Sequence, residues 1–242
     1  MFRHEYKYLI TSEQLAILKN RAELLLLSDI HTSDNSDYYI SSLYYDDYNN
    51  SCFYDNENGI DPREKFRIRI YNNSVESIKL ELKRKEKGKT LKYSSLLTFE
   101  QANKLISQKC EDSWIASASL KFCSDELKNV NSNKLISKLL EGIKTRFLKP
   151  VIIVEYKRTP FVYPLGNVRI TFDTNITSSK NVEDFFENRK RVKRSVLPIG
   201  MHLMEVKFDE FIPDFIHRSF NLENLSLTNF SKYYLARKFQ LI

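Results

Sequence analysis

The alternation of hydrophobic and polar residues along the chain predicts a series of short antiparallel strands. Side chains on a strand point alternately to its two faces, so a period of two indicates a strand. The segment Asn49–Pro62 breaks this period and is predicted to be a loop. The strands are predicted over residues 2–10, Tyr38–Tyr45, Lys65–Tyr71, Glu76–Arg84, Val151–Arg158, Asn167–Asp173 and His202–Phe208.

Helices are predicted between these strands. Two capping boxes, each a Thr followed three residues later by a Gln, stand at residues 11–14 and 98–101. The first opens a helix that runs to about Leu27, and the second opens a mainly helical region that runs, with breaks, to about Lys144. Two more helices close the chain, beginning near Pro213 and at about Ser226, the latter ending near Phe239.

These elements favour a single α+β domain over residues 1–242, an antiparallel sheet with helical insertions. No internal repeat or linker divides the chain. The formal net charge of +7 and the pI of about 9.1 favour an anionic partner, which could be nucleic acid, a membrane surface or a phosphate compound. Three scattered cysteines without CxxC spacing, no signal-peptide pattern and no long apolar run predict a cytoplasmic protein without a membrane segment.

Charged residues share one face of several predicted strands, with hydrophobic residues on the other. A half-buried strand with its polar face in water explains any one of them. The pattern recurs on six strands, however, and bases outnumber acids, although like charges across a sheet destabilise it. The charged faces comprise Arg3, Glu5 and Lys7; Arg63, Lys65, Arg67 and Arg69; Lys79, Glu81 and Lys83; Tyr156 and Arg158; Arg169, Thr171 and Asp173; and Glu205 and Lys207.

A closed barrel with a charged interior would explain this repetition. An unpaired buried charge costs on the order of several kcal/mol, so such an interior must hold water, counter-ions or a polyanionic ligand. Arginine suits phosphate oxygens because its planar fork donates two hydrogen bonds at once. The few acids suit a divalent metal, since Mg²⁺ or Mn²⁺ takes one or two carboxylates together with substrate phosphates.

The same segments resemble the VTC domain, the polyphosphate polymerase domain of the vacuolar transporter chaperone family. That family belongs to the triphosphate tunnel metalloenzyme, or CYTH-like, superfamily. The resemblance covers nearly the whole chain, and its segments occur in the family's order. They are Arg3-His-Glu-Tyr-Lys-Tyr8, Ser42-Leu-Tyr-Tyr-Asp46, Arg63-Glu-Lys-Phe-Arg-Ile-Arg-Ile-Tyr71, Glu81-Leu-Lys83, Tyr156-Lys-Arg158, Val168-Arg-Ile-Thr-Phe-Asp173, Met204-Glu-Val-Lys207 and Phe230-Ser-Lys232.

The resemblance implies a closed, eight-stranded antiparallel barrel with helices packed outside and a C-terminal helix at the tunnel. It implies transfer of the ATP γ-phosphate onto inorganic polyphosphate with Mn²⁺ or Mg²⁺. Arg67, Arg69, Lys83 and Glu205 are the implied catalytic residues, and Glu205 is also the implied metal ligand. The matched phosphate-binding residues are Lys7, Lys92, Tyr156, Arg158, Arg169, Ser231 and Lys232. Arg3, Arg63 and Lys207 join them from the charged faces, where Glu5 and Glu81 are further candidate metal ligands.

Two positions depart from the wider pattern. Arg3 replaces the first Glu of the superfamily's Glu-x-Glu-x-Lys, which removes one candidate metal ligand, and Asn229 stands where some VTC members have a lysine. Two alternatives to the polymerase stay open: a tunnel hydrolase acting on tripolyphosphate, and a non-catalytic polyphosphate-binding module. Nucleic-acid binding is disfavoured because the basic side chains are predicted to point inward. The sequence leaves open the oligomeric state and a membrane partner for the product.

Overall fold

A long antiparallel sheet that curls around on itself dominates the structure. The computed structural model describes residues 3–29, 37–107 and 130–241. Within these ranges the strands are β1 His4–Thr11, β2 Leu27–Ser28, β3 Tyr38–Asp46, β4 Arg63–Tyr71, β5 Ser74–Glu86, β6 Lys89–Leu97, β7 Lys149–Tyr163, β8 Val168–Ser179, β9 Arg194–Ser195 and β10 Met201–Phe208. Eight of them form one path in the order β1-β10-β8-β7-β3-β4-β5-β6, while β2 pairs with β7 and β9 with β8.

The two ends of this path meet at a single point. The backbones of Arg3 and Thr90 exchange two hydrogen bonds of 3.0 Å, and the described residues of β1 and β6 show no other backbone pairing with each other. The sheet is therefore a strongly curled, open half-barrel instead of the expected closed barrel. The physical reason lies in the segment before the last helix, which occupies the free edge of β1. There the Thr228 backbone N–H donates to the Lys7 carbonyl at 2.8 Å.

The helices lie between and after the strands. Their bounds are α1 Ser12–Leu25, α2 Ser51–Glu57, α3 Phe99–Ser107, α4 Val130–Arg146, α5 Asp214–Ser219 and α6 Lys232–Leu241. Both predicted capping boxes are confirmed: the backbone N–H of Gln14 donates to Thr11 at 3.3 Å, and that of Gln101 donates to Thr98 at 3.2 Å. None of the helices in the described ranges has the length and apolar character needed to cross a membrane.

Three predictions of secondary structure were wrong. The predicted loop Asn49–Pro62 contains α2, which is too short to show a helical hydrophobic period. Strand β6 was missed because it is an edge strand whose residues are mostly exposed. The last helix begins at Lys232 instead of about Ser226, since the preceding residues follow β1. Residues 108–129 of the predicted helical region lie outside the described residues.

Two apolar clusters cover the outer face of the sheet, as the alternation predicted. One packs α3 and α4 against β4 and β5, and it includes Phe66, Ile68, Leu80, Leu105 and Leu139. The other packs α1 and α5 against β1, β8 and β10, and it includes Tyr8, Leu18, Ile170, Val206 and Phe220. The charged residues that alternate with these strand positions therefore face the inside of the curl.

A third apolar cluster lies inside the curl, where only charge was expected. Helix α6 packs there through Tyr233 and Ala236, against inward residues of β3 and β7 such as Tyr44 and Val154. Phe230, just before the helix, joins the same cluster. The helix thus fills one part of the interior, and the charged side chains are confined to the rest.

The carboxylate of Asp46 anchors α6 in this position. It is wholly buried at the end of β3 and accepts hydrogen bonds from the backbone N–H groups of Asp47, Cys52 and Phe53 at 2.8–3.2 Å. The hydroxyl of Tyr233 on α6 donates to the same carboxylate. One side chain therefore joins β3, α2 and α6.

We predict that Asp46→Ala lowers the free energy of unfolding by about 3 kcal/mol, because buried backbone donors lose their acceptor. Tyr233→Phe should cost only about 1 kcal/mol, since it removes one hydrogen bond and leaves the other three. Urea unfolding measures both, with Tyr48→Phe as the control because that side chain is 78% exposed. An unchanged midpoint for Asp46→Ala would contradict this role.

Candidate functional site

A cavity of about 150 Å³ lies inside the curl of the sheet, next to the start of α6. Among the residues that the structure describes, ten lysines and arginines line it, against two carboxylates. The cations are Lys7, Arg63, Lys65, Arg67, Arg69, Lys83, Lys85, Arg158, Lys207 and Lys232, and the carboxylates are Glu5 and Glu205. Such an excess of positive charge in a confined space favours a compact polyanion.

Most of the residues predicted from the sequence meet in this cavity. Strands β1, β4, β5, β7 and β10 and the start of α6 each contribute to its wall. The predicted residues found there are Glu5, Lys7, Arg63, Arg67, Arg69, Lys83, Tyr156, Arg158, Glu205, Lys207, Ser231 and Lys232.

The structure places four predicted residues away from this lining. Arg3 pairs with Asp209 (Nε to Oδ1, 2.7 Å) near the point where the sheet edges meet. Arg169 contacts Asp29 through Nη2 at 2.7 Å. Lys92 and Glu81 pair with each other (Nζ to Oε1, 3.0 Å) on the inward face of β5 and β6. Their predicted contact with substrate or metal stays a prediction.

Buried Glu81 holds the two central arginines in place. Its Oε2 accepts a hydrogen bond from Arg67 Nε at 2.7 Å and lies 3.7 Å from Arg69 Nη1. Arg69 also donates to Ser42 Oγ at 3.1 Å and to the Tyr156 hydroxyl at 3.2 Å. Burial opposes ionisation, but the neighbouring cations lower the pKa of Glu81, so it is charged at neutral pH.

A second group of ion pairs surrounds Arg158. Its guanidinium donates two hydrogen bonds to Asp173, at 2.6 and 2.7 Å, and one to Glu205 at 3.2 Å. Lys232 at the start of α6 reaches the same Asp173 at 2.6 Å. Burial alone would raise the pKa of Glu205, but Lys207, Lys232 and its other cationic neighbours hold that pKa well below its usual range.

Glu5 links β1 to β5 across the inside of the cavity. It accepts hydrogen bonds from Lys83 of β5 at 2.8 and 2.9 Å, and Lys7 lies 3.1 Å away. Burial opposes ionisation here too, but the ammonium groups of Lys83 and Lys7 lower the pKa of Glu5 to about 2. Lys7 also donates to the Phe230 carbonyl at 2.9 Å, so its ammonium fixes the segment before α6.

Sequence reasoning missed several residues of the site, among them Lys65, Tyr44 and Asp173. Lys65 lies 4.7 Å above the Tyr233 ring and donates to Asn56 Oδ1 at 3.2 Å. The Tyr44 hydroxyl accepts a hydrogen bond from Arg67 at 3.3 Å, and Asp173 binds Arg158. Lys65 and Asp173 are among the residues that the alternation assigns to charged strand faces, so the alternation could have identified both as site residues.

The first turn of α6 completes one wall. Ser231 precedes the helix, and its hydroxyl accepts a hydrogen bond from the Tyr234 backbone N–H at 3.3 Å. Ser231, Lys232 and Tyr233 all line the cavity. The positive end of the helix dipole therefore adds to the positive charge of the wall.

The acidic residues present fit a divalent metal that shares its ligands with a substrate. Glu5 and Glu205 both border the cavity, and both lie near Lys7 Nζ, at 3.1 and 3.7 Å. Within the described ranges no group of three or more His, Cys, Asp or Glu side chains could hold a metal by itself. Mg²⁺ commonly takes only one or two carboxylates plus substrate phosphates, so this pair meets that requirement.

Comparison with known families decides where this chain belongs. The profile of the VTC domain matches residues 2–240, which is nearly the whole chain. The chain belongs to the VTC domain family. No curated protein matches this VTC domain in sequence.

Solved structures are similar to this VTC domain at low sequence identity. A putative adenylyl cyclase from Hippeastrum, described as having a dominant triphosphatase activity, is 11% identical with a TM-score of 0.54, covering 100% of this chain and 98% of that one. A putative adenylate cyclase from Bacillus halodurans is 15% identical with a TM-score of 0.45, covering 92% and 89%. The Hippeastrum structure is consistent with the tunnel-type fold implied by the resemblance.

Lys83 and Lys65, two of the cavity lysines with lowered pKa values, predict a pH dependence. Desolvation lowers the pKa of Lys83 to about 7, although Glu5 opposes it, and lowers that of Lys65 to about 8. Raising the pH from 7 to 9 therefore removes positive charge from the free protein, and tripolyphosphate affinity should fall about three- to tenfold. Calorimetric titration across this range measures the fall.

Lys83→Arg provides the matched variant for this experiment, because a guanidinium stays protonated throughout the range. Its affinity should fall less steeply than that of the wild type. Titration of the ligand itself affects both proteins equally, so it cancels in the comparison. Identical slopes for the two proteins would contradict the assignment of Lys83.

Proposed function

We propose that this VTC domain is a polyphosphate polymerase, an enzyme that transfers the γ-phosphate of ATP onto a growing inorganic polyphosphate chain. The observation that carries the proposal is the cavity wall, where ten cations face two carboxylates. A polyphosphate chain supplies the regularly spaced negative charge that this wall lacks. Membership of the VTC domain family and the tunnel-type fold support the same substrate class.

The arrangement of the cations suits phosphoryl transfer. That reaction needs little covalent help from the protein, and its rate depends on alignment and on stabilising charge on the transferring group. Glu81 fixes Arg67 and Arg69, so their donors are oriented before the substrate arrives. Preorganised donors are effective because no reorganisation accompanies the reaction. Lys83 and Lys207 carry further positive charge on the same wall.

Glu205, with Glu5 beside it, would hold Mn²⁺ or Mg²⁺ together with the substrate phosphates. The ion would supply further neutralisation of phosphate charge. Lys7 lies between the two carboxylates and offsets their mutual repulsion in the free protein. We assign Arg158 and Lys232 to the binding of the phosphate chain, because both reach the cavity from their shared partner Asp173.

A tripolyphosphate hydrolase is the second candidate. The observation that favours it is the triphosphatase activity named for the Hippeastrum protein of similar fold. Against it, the described cavity lining holds only two acidic residues, and Arg3 is turned towards Asp209. A module that binds polyphosphate without turnover is the third candidate, and the assay below separates all three.

The proposal extends to the setting of the reaction. A single domain over residues 1–242 acts on ATP and inorganic polyphosphate in the cytoplasm. Nucleic acid is disfavoured as a partner because the cations lie inside the curl, around a cavity of about 150 Å³ that a duplex cannot enter. That volume suits single phosphate groups in a row.

We predict that Arg67→Ala and Glu205→Gln each reduce polymer synthesis by at least about a hundredfold, because the first removes a cation aligned with the transferring phosphate and the second removes the proposed metal ligand. The assay incubates purified protein with ATP and Mn²⁺ and separates the products on a gel stained for polyphosphate. Glu100→Gln is the matched control, since this glutamate lies on the outer helix α3 with its side chain 77% exposed.

The three candidates give different products. A polymer ladder from the wild type and Glu100→Gln, absent from both site variants, supports the polymerase. Release of free phosphate from tripolyphosphate, without a polymer ladder, would support the hydrolase instead. Binding of polyphosphate without either product would support the binding module. Normal polymer ladders from both site variants would contradict the assignment of this cavity as the active site.

A further inference from the structure

Arg169 lies beside the basic cavity but is absent from the lining that the described residues form. Its position on β8 is directly opposite Lys207 on β10, and Lys207 does line the cavity. Side chains opposite each other in an antiparallel pair share a face, and their Cβ atoms are about 4.5–5.5 Å apart. Arg169 is therefore an immediate neighbour of the cavity wall.

The carboxylate of Asp29 holds Arg169 in this position. Asp29 directly follows β2, which pairs with residues 161–162 of β7, beyond Arg158 where the pairing of β3 with β7 ends. Its Oδ2 lies 2.7 Å from Arg169 Nη2, and its side chain is only 10% exposed. The path of the chain thus brings one negative charge close to a cavity that has an excess of positive charge.

The hydrogen-bond donors of Arg169 are incompletely used. Besides its contact with Asp29, Nη2 donates to the Tyr38 hydroxyl at 3.2 Å. Nε is buried and has no hydrogen-bond partner among the described residues. An oxyanion that meets two donors of the guanidinium fork at once forms a stronger pair than one that meets a single donor. Arg169 therefore has a buried donor that a phosphate oxygen could satisfy.

A phosphate and Asp29 cannot both use Arg169 at full strength. A phosphate that approaches the guanidinium also approaches the carboxylate, and like charges at short distance repel each other. The Arg169 side chain is 33% exposed, so packing does not enclose it completely. Its guanidinium can therefore change partners along the face that it shares with Lys207.

We propose that Asp29 competes with the phosphate chain for Arg169. Asp29 pairs with Arg169 in the free protein, Arg169 exchanges it for a phosphate that reaches the Lys207 side of the cavity, and the pair forms again when that phosphate leaves. Asp29 is thus a positioning residue that weakens the hold on the chain and favours its release. This inference rests on the proposed function and adds control of substrate affinity to it.

The test is a double-mutant cycle on the affinity for inorganic tripolyphosphate, measured by calorimetry in EDTA. Asp29→Asn removes the charge and keeps the shape of the side chain. It should strengthen binding about three- to tenfold, because the phosphate no longer competes with a carboxylate for the guanidinium. In Arg169→Gln protein the same substitution should change the affinity by less than about twofold, because the disputed cation is gone.

Asp37→Asn is the matched control, because Asp37 pairs with Lys157 at 2.6 Å. Lys157 alternates with Arg158, which lines the cavity, so this pair lies on the outer face of β7. The control should leave the affinity within about twofold of the wild type. An equal gain from Asp37→Asn, or a gain from Asp29→Asn that persists without Arg169, would show a general effect of charge and overturn the competition. Unchanged or weaker binding by Asp29→Asn would overturn it too.

A crystal structure of the wild type with tripolyphosphate bound tests the same exchange without a variant. Arg169 should contact a phosphate oxygen and lie beyond the roughly 4 Å limit of an ion pair with Asp29. An intact Arg169–Asp29 pair beside bound tripolyphosphate would overturn the competition, although the proposed function would stand. If the wild type binds no tripolyphosphate in either measurement, the proposed function fails and the competition fails with it.

Discussion

Buried carboxylates hold the arginines and lysines of the cavity close together, and the site depends on this ion pairing. Glu81, Asp173, Glu205 and Glu5 each contact two or more cations. Removing one such carboxylate would leave buried cations unpaired, at a cost of about 3–5 kcal/mol. The carboxylates do not neutralise all of the positive charge, because the cations outnumber them. The folded protein therefore retains a positively charged site that a polyanion can neutralise.

The curl of the sheet and the position of α6 determine where this charge lies. Outer helices cover the apolar face of the strands, which forces the alternating charged residues inward. Helix α6, anchored by Asp46, fills the remaining interior with apolar side chains. The basic residues therefore surround a small cavity inside the curl.

The alternation of residue types was sufficient to predict much of this architecture. It placed Arg67 and Arg69 on the face opposite Phe66 and Ile68, and the structure has them so. It could not predict whether the sheet closes into a barrel. The pairing of an edge strand depends on segments distant in sequence, such as the one that lies along β1. Nor could it predict that Arg169 turns to Asp29, since ion-pair partners distant in sequence are chosen by tertiary packing.

A crystal structure with tripolyphosphate bound tests the central claim most directly. The account predicts that the phosphate chain lies in the inner cavity, with its oxygens within hydrogen-bonding distance of Arg67, Arg69 and Lys83. It also predicts that Glu81 keeps its contact with Arg67, because that pair is formed before the ligand arrives. Tripolyphosphate bound on the outer surface, with the inner cavity empty, would contradict the account.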